Sequence, residues 1–565
     1  MEKKGSMLQI PKLEEAIILR ERGRQDQAAK LFEEILSGNV EDTRALHAIS
    51  LLAIEQRRYK AATKWLTKLV KLEPTNSAAF IDLATALHHQ GHIKQAVLSL
   101  KCALKQDPKS TAALNNLGII YQEQGFYDQA LEIFNNAIEI EDGIAEIHNN
   151  LGNTYKELED YSLALVSYQK ALALNPSYIT PKVNIGVIFH REGKLEQAKL
   201  LFEKVLATDP NHAECLDNLG AIYRDLGEVE KSIELRNRSI KLNPHYAESH
   251  KNLASALLSI GEYKQGWSEY EWRLRCKQFR FNRTKYPFPY YNGQNLSDKH
   301  VLIRAEQGIG DEIMFASMLS DFAQGALSVT VECDARLIPL FERSFPFIEF
   351  YEKRPEANSE ILAKSIDLQI MLGSLGQYTR NSVQSFDGAT PFLITDTNKT
   401  DLLRQRYSKL ANGKKIIGVS WKSGNKEKGA ERSISLQKLN SLLSHKDCFF
   451  VSLQYGDIEE EAALYKDSLH LDSSVNPLED LDNFASQVEA MDLVISIDNS
   501  TVHFAGAIGK SCWTLLPFSA DWRWEIASKT SVWYPQMKLF WQVERNDWTI
   551  PLNKVQESLE SIISA

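Results

Sequence analysis

Ala113-Leu114-Asn115-Asn116-Leu117-Gly118-Ile119-Ile120-Tyr121 returns 34 residues later as Ile147-His148-Asn149-Asn150-Leu151-Gly152-Asn153-Thr154-Tyr155. The echo extends in both directions. Prolines fall at Pro74, Pro108, Pro176, Pro210 and Pro244, each interval being 34 residues or twice that, with Asp142 in the empty slot. A small-residue column reads Ala62, Ala96, Ala130, Ala164, Ala198 and Ser232. A branched one reads Leu83, Leu117, Leu151, Ile185 and Leu219. Ala84, Gly118, Gly152, Gly186 and Gly220 stand beside the latter. Each period reads as a helix, a tight turn and a second helix. The small residues let paired helices approach closely, and Pro ends the second helix because it cannot continue the hydrogen-bond ladder. A single pair cannot bury its apolar face, so neighbouring pairs stack into an α-solenoid. About eight units fit between residues ~9 and ~280.

Composition limits the rest. The chain has 565 residues, 43% hydrophobic and 25% charged, in the globular range. Lys and Arg number 65 against 74 Asp and Glu, a net charge of −9, so a chain-wide basic surface for nucleic acid is not expected. No apolar run approaches the ~18–20 residues of a membrane helix, and Met1–Ser6 lacks the apolar stretch of a secretory signal. Six cysteines without a CxxC pair predict free thiols in a reducing compartment, with neither a zinc site nor a disulfide scaffold. These features predict a cytoplasmic protein without integral membrane association.

The periodicity changes after a linker, residues 281–295, rich in Pro and Tyr. Beyond it, strands and helices alternate. His300–Arg304, Ser328–Glu332 and Leu368–Met371 read as strands, and Asp311–Phe322 as helix. The polar stretch Asp396–Lys415 separates them from a second series, Ile416–Trp421, Phe449–Leu453, Leu493–Ile497 and Cys512–Leu516. Continuous apolar runs of this kind predict buried parallel strands, and two such α/β units predict a cleft at strand carboxyl ends. The predicted domains are 1–280 (repeats), 281–295 (linker), 296–395 and 396–565 (two Rossmann-like halves).

Three loops carry candidate chemistry. The first, Glu306–Glu312, opens a helix; Gly308 and Gly310 admit a ligand to backbone amides, and Asp311 can take a proton. Ile313 stands where a dinucleotide fingerprint needs its third glycine. In the second loop, Lys422 and Arg432 can neutralise a phosphate, with Ser420 and Ser423 donating hydrogen bonds; a solvated charge cluster with Lys426, Glu427, Lys428 and Glu431 is the alternative. In the third, Asp498–Gly509, a strand ends in a capped helix. The amides of Asn499, Ser500 and Thr501 offer an anion site, with His503 one turn in. Asp480-Leu481-Asp482 matches a metal-binding DxD by letter, in a stretch read as acidic helix, and no metal is expected. In the repeats, Asn115, Asn116, Asn149, Asn150, Asn184, Asn218 and Asn252 can clamp the backbone of an extended peptide in a groove.

The repeat columns resemble the tetratricopeptide repeat. Gly308–Asp311, the Ser-Trp-Lys turn at Ser420–Asn425 and Asp498–His503 resemble the heptosyltransferase-like family 9 glycosyltransferases. The whole chain resembles bacterial tetratricopeptide proteins with such a domain at the carboxyl end. Gly266-Trp267, Tyr270-Glu271-Trp272-Arg273 and Leu516-Pro517-Phe518, Asp521-Trp522-Arg523-Trp524, Trp533-Tyr534-Pro535 mark that resemblance. It implies an α-solenoid followed by an α/β glycosyltransferase of the GT-B architecture, inverting and metal-independent, using no cofactor. Asp311 inherits the role of base. Asp498, Asn499, Ser500, Thr501 and His503 occupy the donor-phosphate loop, with Asn-Ser replacing the family's Thr-Gly. Arg432 maps to the phosphate contact, and Gln454 and Tyr455 fall in the segment that holds base or ribose. The half 296–395 is short for the family, so the acceptor is expected to lie partly against the repeats.

The implied activity is transfer of a sugar from a nucleotide sugar (CMP-, UDP- or GDP-linked) to Ser or Thr of a protein acceptor bound by the repeats, a flagellin-type protein first. The rival expectation is a repeat scaffold whose transferase domain has lost activity. The oligomeric state is left open.

Overall fold

The computed structural model describes residues 2–276, 279, 286–425 and 429–564, with side chains described from Lys12 onward. Residues 281–285 of the predicted linker, and Lys426, Glu427 and Lys428 of the second loop, lie outside the described residues. The chain divides into two compact units, Met1–Thr208 and Asp209–Ala565.

The first unit is made of helix pairs. Among the described residues these are Glu2–Glu21 with Gln25–Gly38, Thr43–Glu55 with Tyr59–Leu72, Ser77–His89 with Ile93–Gln106, Thr111–Glu123 with Tyr127–Ile140, Ala145–Glu157 with Tyr161–Leu174, and Ile179–Arg191 with Leu195–Thr208. The glycine column does what its spacing predicts. A Cβ at Gly118, Gly152 or Gly186 would stand 2.6, 2.6 and 2.5 Å from the rings of Phe134, Tyr168 and Phe202. Only glycine lets those rings lie on the first helix.

The second unit begins inside the array. Its first two pairs, Ala213–Asp225 with Val229–Leu242 and Ala247–Ser259 with Tyr263–Tyr270, precede two parallel sheets. The smaller sheet comprises β1 (His300–Arg304), β2 (Ser328–Cys333), β3 (Glu349–Glu352) and β4 (Leu368–Met371), in the order β3-β2-β1-β4. The larger comprises β5 (Lys415–Ser420), β6 (Cys448–Ser452), β7 (Leu469–His470), β8 (Leu493–Ile497), β9 (Cys512–Leu516) and β10 (Met537–Trp541), in the order β10-β9-β8-β5-β6-β7. From β7 to β10 this is the 3-2-1-4-5-6 order of doubly wound sheets, with its switch point between β5 and β8.

Three strands, β3, β7 and β10, were not expected from the apolar runs. The polar stretch after Asp396 is a helix, Thr397–Ala411, capped by the Asp396 carboxylate. The expected helix 311–322 is two shorter ones, Ile309–Ala316 and Leu319–Ala323. The described part of the linker pairs with a strand: Tyr291 N–H donates to Gln369 O (2.9 Å), and Gln369 N–H to Pro289 O (2.9 Å), which covers the edge of β4.

The last helix pair shares the core of the smaller sheet. Trp267 is 1% exposed and has the rings of Phe315, Trp522 and Trp533 around it. Its indole N–H donates to Arg380 O at 2.7 Å. A Cβ at Gly376 would come within 2.5 Å of that indole.

Candidate functional site

A cleft of about 420 Å³ lies between the two sheets. Its walls come from the segments following β1, β2, β5, β6, β7, β8 and β9, all at strand carboxyl ends, where open α/β sheets bind ligands.

The first loop reaches the cleft through Ile309, Gly310 and Asp311. Asp311 sits in the first turn of its helix, and its Oδ1 accepts from Arg523 Nη2 at 2.6 Å. Burial pushes its carboxyl above the ordinary aspartate value. Arg523 opposes that rise, and Asp521 and Glu306 add to it. Gly310 is required by close approach, since a Cβ there would stand 2.9 Å from His503 Cδ2. Gly308 does not line the cleft; it is the N-cap of the helix.

The third loop is built by Asn499. Its Oδ1 caps the helix Ser500–Ile508 by accepting from Thr501 N–H (3.0 Å), and its Nδ2 donates to Ser420 Oγ (2.7 Å) and Lys422 O (3.3 Å). Gly509, at φ 82°, closes the helix in the left-handed region. Asp498, Asn499, Ser500 and His503 line the cleft. His503 is 2% exposed, stacks on Trp524, and shares a hydrogen bond between Nδ1 and Tyr534 OH (3.1 Å). Burial drives its imidazole well below the usual histidine value, with Arg523 and Arg432 adding to the effect. His503 is therefore a neutral hydrogen-bonding group, not a cation. Thr501 is fully buried behind the cleft wall.

In the second loop, Arg432 lines the cleft and pairs with Asp498 (3.2 Å) and Asp521 (3.5 Å). Asp498 thus works on Arg432. A carboxylate would repel a phosphate, which makes it an anchor for the guanidinium and not a ligand contact. Three other residues expected at the donor differ in place. Ser420 and Gln454 are buried and hold the loops together. Gln454 Oε1 accepts from Ser420 Oγ (3.0 Å) and from the amides of Trp421 (2.8 Å) and Lys422 (2.7 Å). Their side chains satisfy backbone groups that bend away from β5. Lys422 is exposed and outside the cleft lining, while its backbone is held by Gln454 and Asn499. Tyr455 lines the cleft.

Sequence reasoning missed Arg336 and Arg523, which also line it. Arg336 is tied to Asp334 (2.9 Å) and to Leu478 O (3.1 Å). For Arg523, burial works against the charged form, and Asp521, Asp311 and Asp498 outweigh it, so the guanidinium stays charged. The signal was present: a charged pair, Asp521 and Arg523, set among tryptophans. Trp522, Trp524, Trp533 and Trp548 are core residues. At the cleft, Arg523 Nε is buried without a hydrogen-bond partner, and such a group marks a place where a ligand or water completes the site.

The DxD letters do other work. Asp480 caps the helix Leu481–Glu489, and Asp482 pairs with Lys399 (2.9 Å) and Arg343. In the repeats, the asparagines bind one another. Asn150 Nδ2 donates to Asn115 Oδ1 (2.9 Å), Asn184 Nδ2 to Asn149 Oδ1 (3.3 Å) and Asn153 Oδ1 (3.0 Å), and Asn252 Nδ2 to Asp217 (2.9 Å). Asn116 donates to Thr85 Oγ1 at 3.5 Å, and Asn218 Nδ2 is buried with no hydrogen-bond partner. Asn149 and Asn184 are buried. These amides form a ladder between successive first helices, which is a structural use where a peptide clamp was expected. They face one another because a 34-residue period brings i and i+35 to neighbouring turns.

Models of the tetratricopeptide repeat match residues 13–78 and 110–177, and a model of the N-terminal TPR repeats region of Psidin matches 157–268. The array therefore consists of tetratricopeptide repeats, a protein-interaction module. Over 320 residues the chain is 30% identical to Protein FlbA of Caulobacter vibrioides, covering 53% of each chain. The chain thus spans about half the length of that curated relative. Among solved structures, the APC/C hetero-tetramer Cut9-Hcn1 is similar at 18% identity over 47% of this chain and 52% of that one, with a TM-score of 0.38. YrrB, a TPR protein with an unusual peptide-binding site, is 25% identical over 33% of this chain and 95% of that one, TM-score 0.26. TTC0263, a thermophilic TPR protein of Thermus thermophilus, is 25% identical over 31% and 96%, TM-score 0.28. No helix among the described residues is long and apolar enough to cross a membrane.

Proposed function

We propose that the α/β part of the second unit is a GT-B glycosyltransferase that moves a sugar from a nucleotide sugar to a hydroxyl of a protein acceptor recruited by the repeats. One observation carries the reading. At the carboxyl ends of β1, β5, β8 and β9, the Asp311 carboxylate, the guanidiniums of Arg432 and Arg523 and a helix amino end converge on one cleft. The amides opening the helix Ser500–Ile508, with Arg432 and Arg523, suit a nucleotide's phosphates. Asp311, hydrogen-bonded to Arg523, is the base on this reading.

In the reaction, the acceptor oxygen attacks the anomeric carbon, and the bond from that carbon to the phosphate oxygen breaks. The nucleotide leaves with the electron pair, and the proton of the acceptor hydroxyl passes to Asp311. Arg432, Arg523 and the helix amides stabilise the charge that grows on the leaving phosphate. Arg523 Nη2 donates to Asp311 Oδ1 and so orients the base. Ser or Thr of a flagellin-type protein is the first acceptor to assay.

The same Arg523–Asp311 pair favours the second reading, a repeat scaffold in which the base is permanently neutralised. A thermal-shift screen with UDP, GDP, ADP, dTDP and CMP separates them. Ligand at 100 times its dissociation constant adds about 2.7 kcal/mol to the folded state. A hit abolished by Arg432→Ala with His503→Ala supports the transferase, and Asp311→Asn is then expected to slow turnover about 10²–10⁴-fold with binding retained. No shift with any nucleotide or nucleotide sugar favours the scaffold.

A further inference from the structure

The last helix pair of the array and the 3-10 turn Glu271–Arg275 after it grip both of the loops that meet at Asp311. On one side, the buried guanidinium of Arg273 donates to Glu306 Oε1 from Nε (3.1 Å) and from Nη2 (2.7 Å). Gln307 Nε2 donates to Tyr270 OH at 2.6 Å. Glu306 and Gln307 begin the loop that carries Asp311. On the other side, Tyr263 OH donates to Glu525 Oε1 at 2.6 Å, and Ile526 N–H donates to Ser259 O at 3.0 Å. The preceding pair adds a third tie, from Ser519 Oγ to Asp225 Oδ1 at 2.9 Å. Between these ties, Trp522 packs edge-on against Trp267. The segment 519–526 is therefore fastened to the repeats at both ends, and Arg523 projects from its middle onto Asp311.

The backbone of that segment is strained where it is fastened. Glu525 lies at φ 46°, ψ 125°, and Ala527 at φ 57°. Residues with a Cβ avoid that region, and they stay there only where their surroundings over-determine them. Tyr263 and Ser259 provide that constraint at Glu525 and Ile526.

The geometry points to the terminal repeat as a positioning element of the cleft, in which Tyr263, Ser259, Tyr270 and Arg273 fix Arg523 against Asp311. This rests on the reading of the cleft as a ligand site. On that reading, the repeats belong to the machinery of the cleft and are not only a handle for the partner.

Tyr263→Phe tests it with the loss of one hydroxyl, in the full-length protein. Hydrogen exchange at Ile526 and its neighbours is expected to quicken about fivefold, the effect of losing one hydrogen bond, with β5 and β8 unchanged. The His503 imidazole, whose proton affinity Arg523 depresses, is expected to titrate at higher pH by NMR. The best nucleotide from the screen should bind several-fold more weakly. Glu525→Gly, which removes both anchor and strain, should give the same local pattern without loss of global stability. Wild-type exchange at residues 523–527 in both variants overturns the proposal. So does an increase shared equally by β5 and β8, or an unmoved His503 titration. If the unaltered protein binds no nucleotide, the cleft reading fails, while the exchange and His503 results still decide whether the repeat holds Arg523.

Discussion

One column of the array is filled differently in the two units. In Met1–Thr208, the second helices present Phe134, Tyr168 and Phe202 to Gly118, Gly152 and Gly186. In the second unit, the same column holds Arg236, lying on Gly220. Arg236 is 2% exposed, donates from Nη1 to Ser232 Oγ (2.5 Å), and pairs with Asp217, itself buried, at 3.4 Å. The column that holds Asp217 reads Asn115, Asn149 and Val183 in the repeats before it. Burial lowers the guanidinium to about 10, even with Asp217 opposing the drop. The helical frame is the same. The difference teaches that the period specifies backbone and spacing, while one position can carry either a ring or a buried ion pair.

The largest effect should come from breaking that pair. Arg236→Ala leaves Asp217 buried and unpaired and is expected to cost about 3–5 kcal/mol. Denaturation can be followed by tryptophan fluorescence, because Trp65 is the tryptophan of the first unit and the other nine follow Asp209. Arg236→Phe with Asp217→Asn restores the upstream pattern and should recover most of the loss, because a well-packed apolar group replaces a buried pair at little cost. If the double variant is as unstable as Arg236→Ala, the two repeats are not interchangeable at this column.

Next in size is Gly186→Ala. The added methyl meets the Phe202 ring and should cost about 1–3 kcal/mol through overpacking. Urea unfolding measures it, and a cost near zero would mean that the ring moves aside freely.

The smallest contrast is in pH. His503 is held neutral by burial, so its folded pKa lies below the unfolded value of about 6.5. Below that pH the unfolded chain binds the extra proton, and the second unit should lose up to about 1.4 kcal/mol per pH unit. His88 has the opposite sign. Its hydrogen bond to Glu123 (2.7 Å) raises its pKa. Its contribution is complete below pH ~6.5 and fades as pH rises through the raised value; exposure limits it to less than about 1 kcal/mol. Residue-resolved exchange from pH 5 to 8 should therefore show opposite leans around His503 and around His88. His503→Gln should flatten the acid side and His88→Gln the alkaline side.

The repeats were legible because a column of glycines and one of prolines encode backbone facts that no neighbour can override. The strands with continuous apolar runs were legible for a similar reason, since both their faces are buried. Strands β3 and β7 lie at sheet edges, where Glu349, Glu352 and His470 stay wet and break the pattern. The helix after Asp396 looked like a linker because only Leu403, Tyr407 and Ala411 of it are buried. At the candidate site, sequence identified loops better than atoms. Gly310, Asp311, Arg432, Tyr455, Ser500 and His503 meet in one cleft. Ser420 and Gln454 are chemically suited to a ligand, yet they satisfy turning backbone instead. Arg523 was hidden because its reach depends on a segment fastened by residues 260 positions earlier in the chain, such as Tyr263.

The amide ladder has a consequence for how such a protein can vary. Asn115 with Asn150 and Asn149 with Asn184 are identical rungs, each amide able to give and to receive. A whole unit inserted or deleted among them restores the same joint, so the array can change length in steps of 34 residues without a buried amide left over. The stretch from Asp217 to Arg273 has no such freedom, because Asp217 with Arg236 and Arg273 with Glu306 are single pairings that no neighbouring repeat reproduces. Copy number is thus an adjustable dimension of the early repeats, and the last two are a fixed joint.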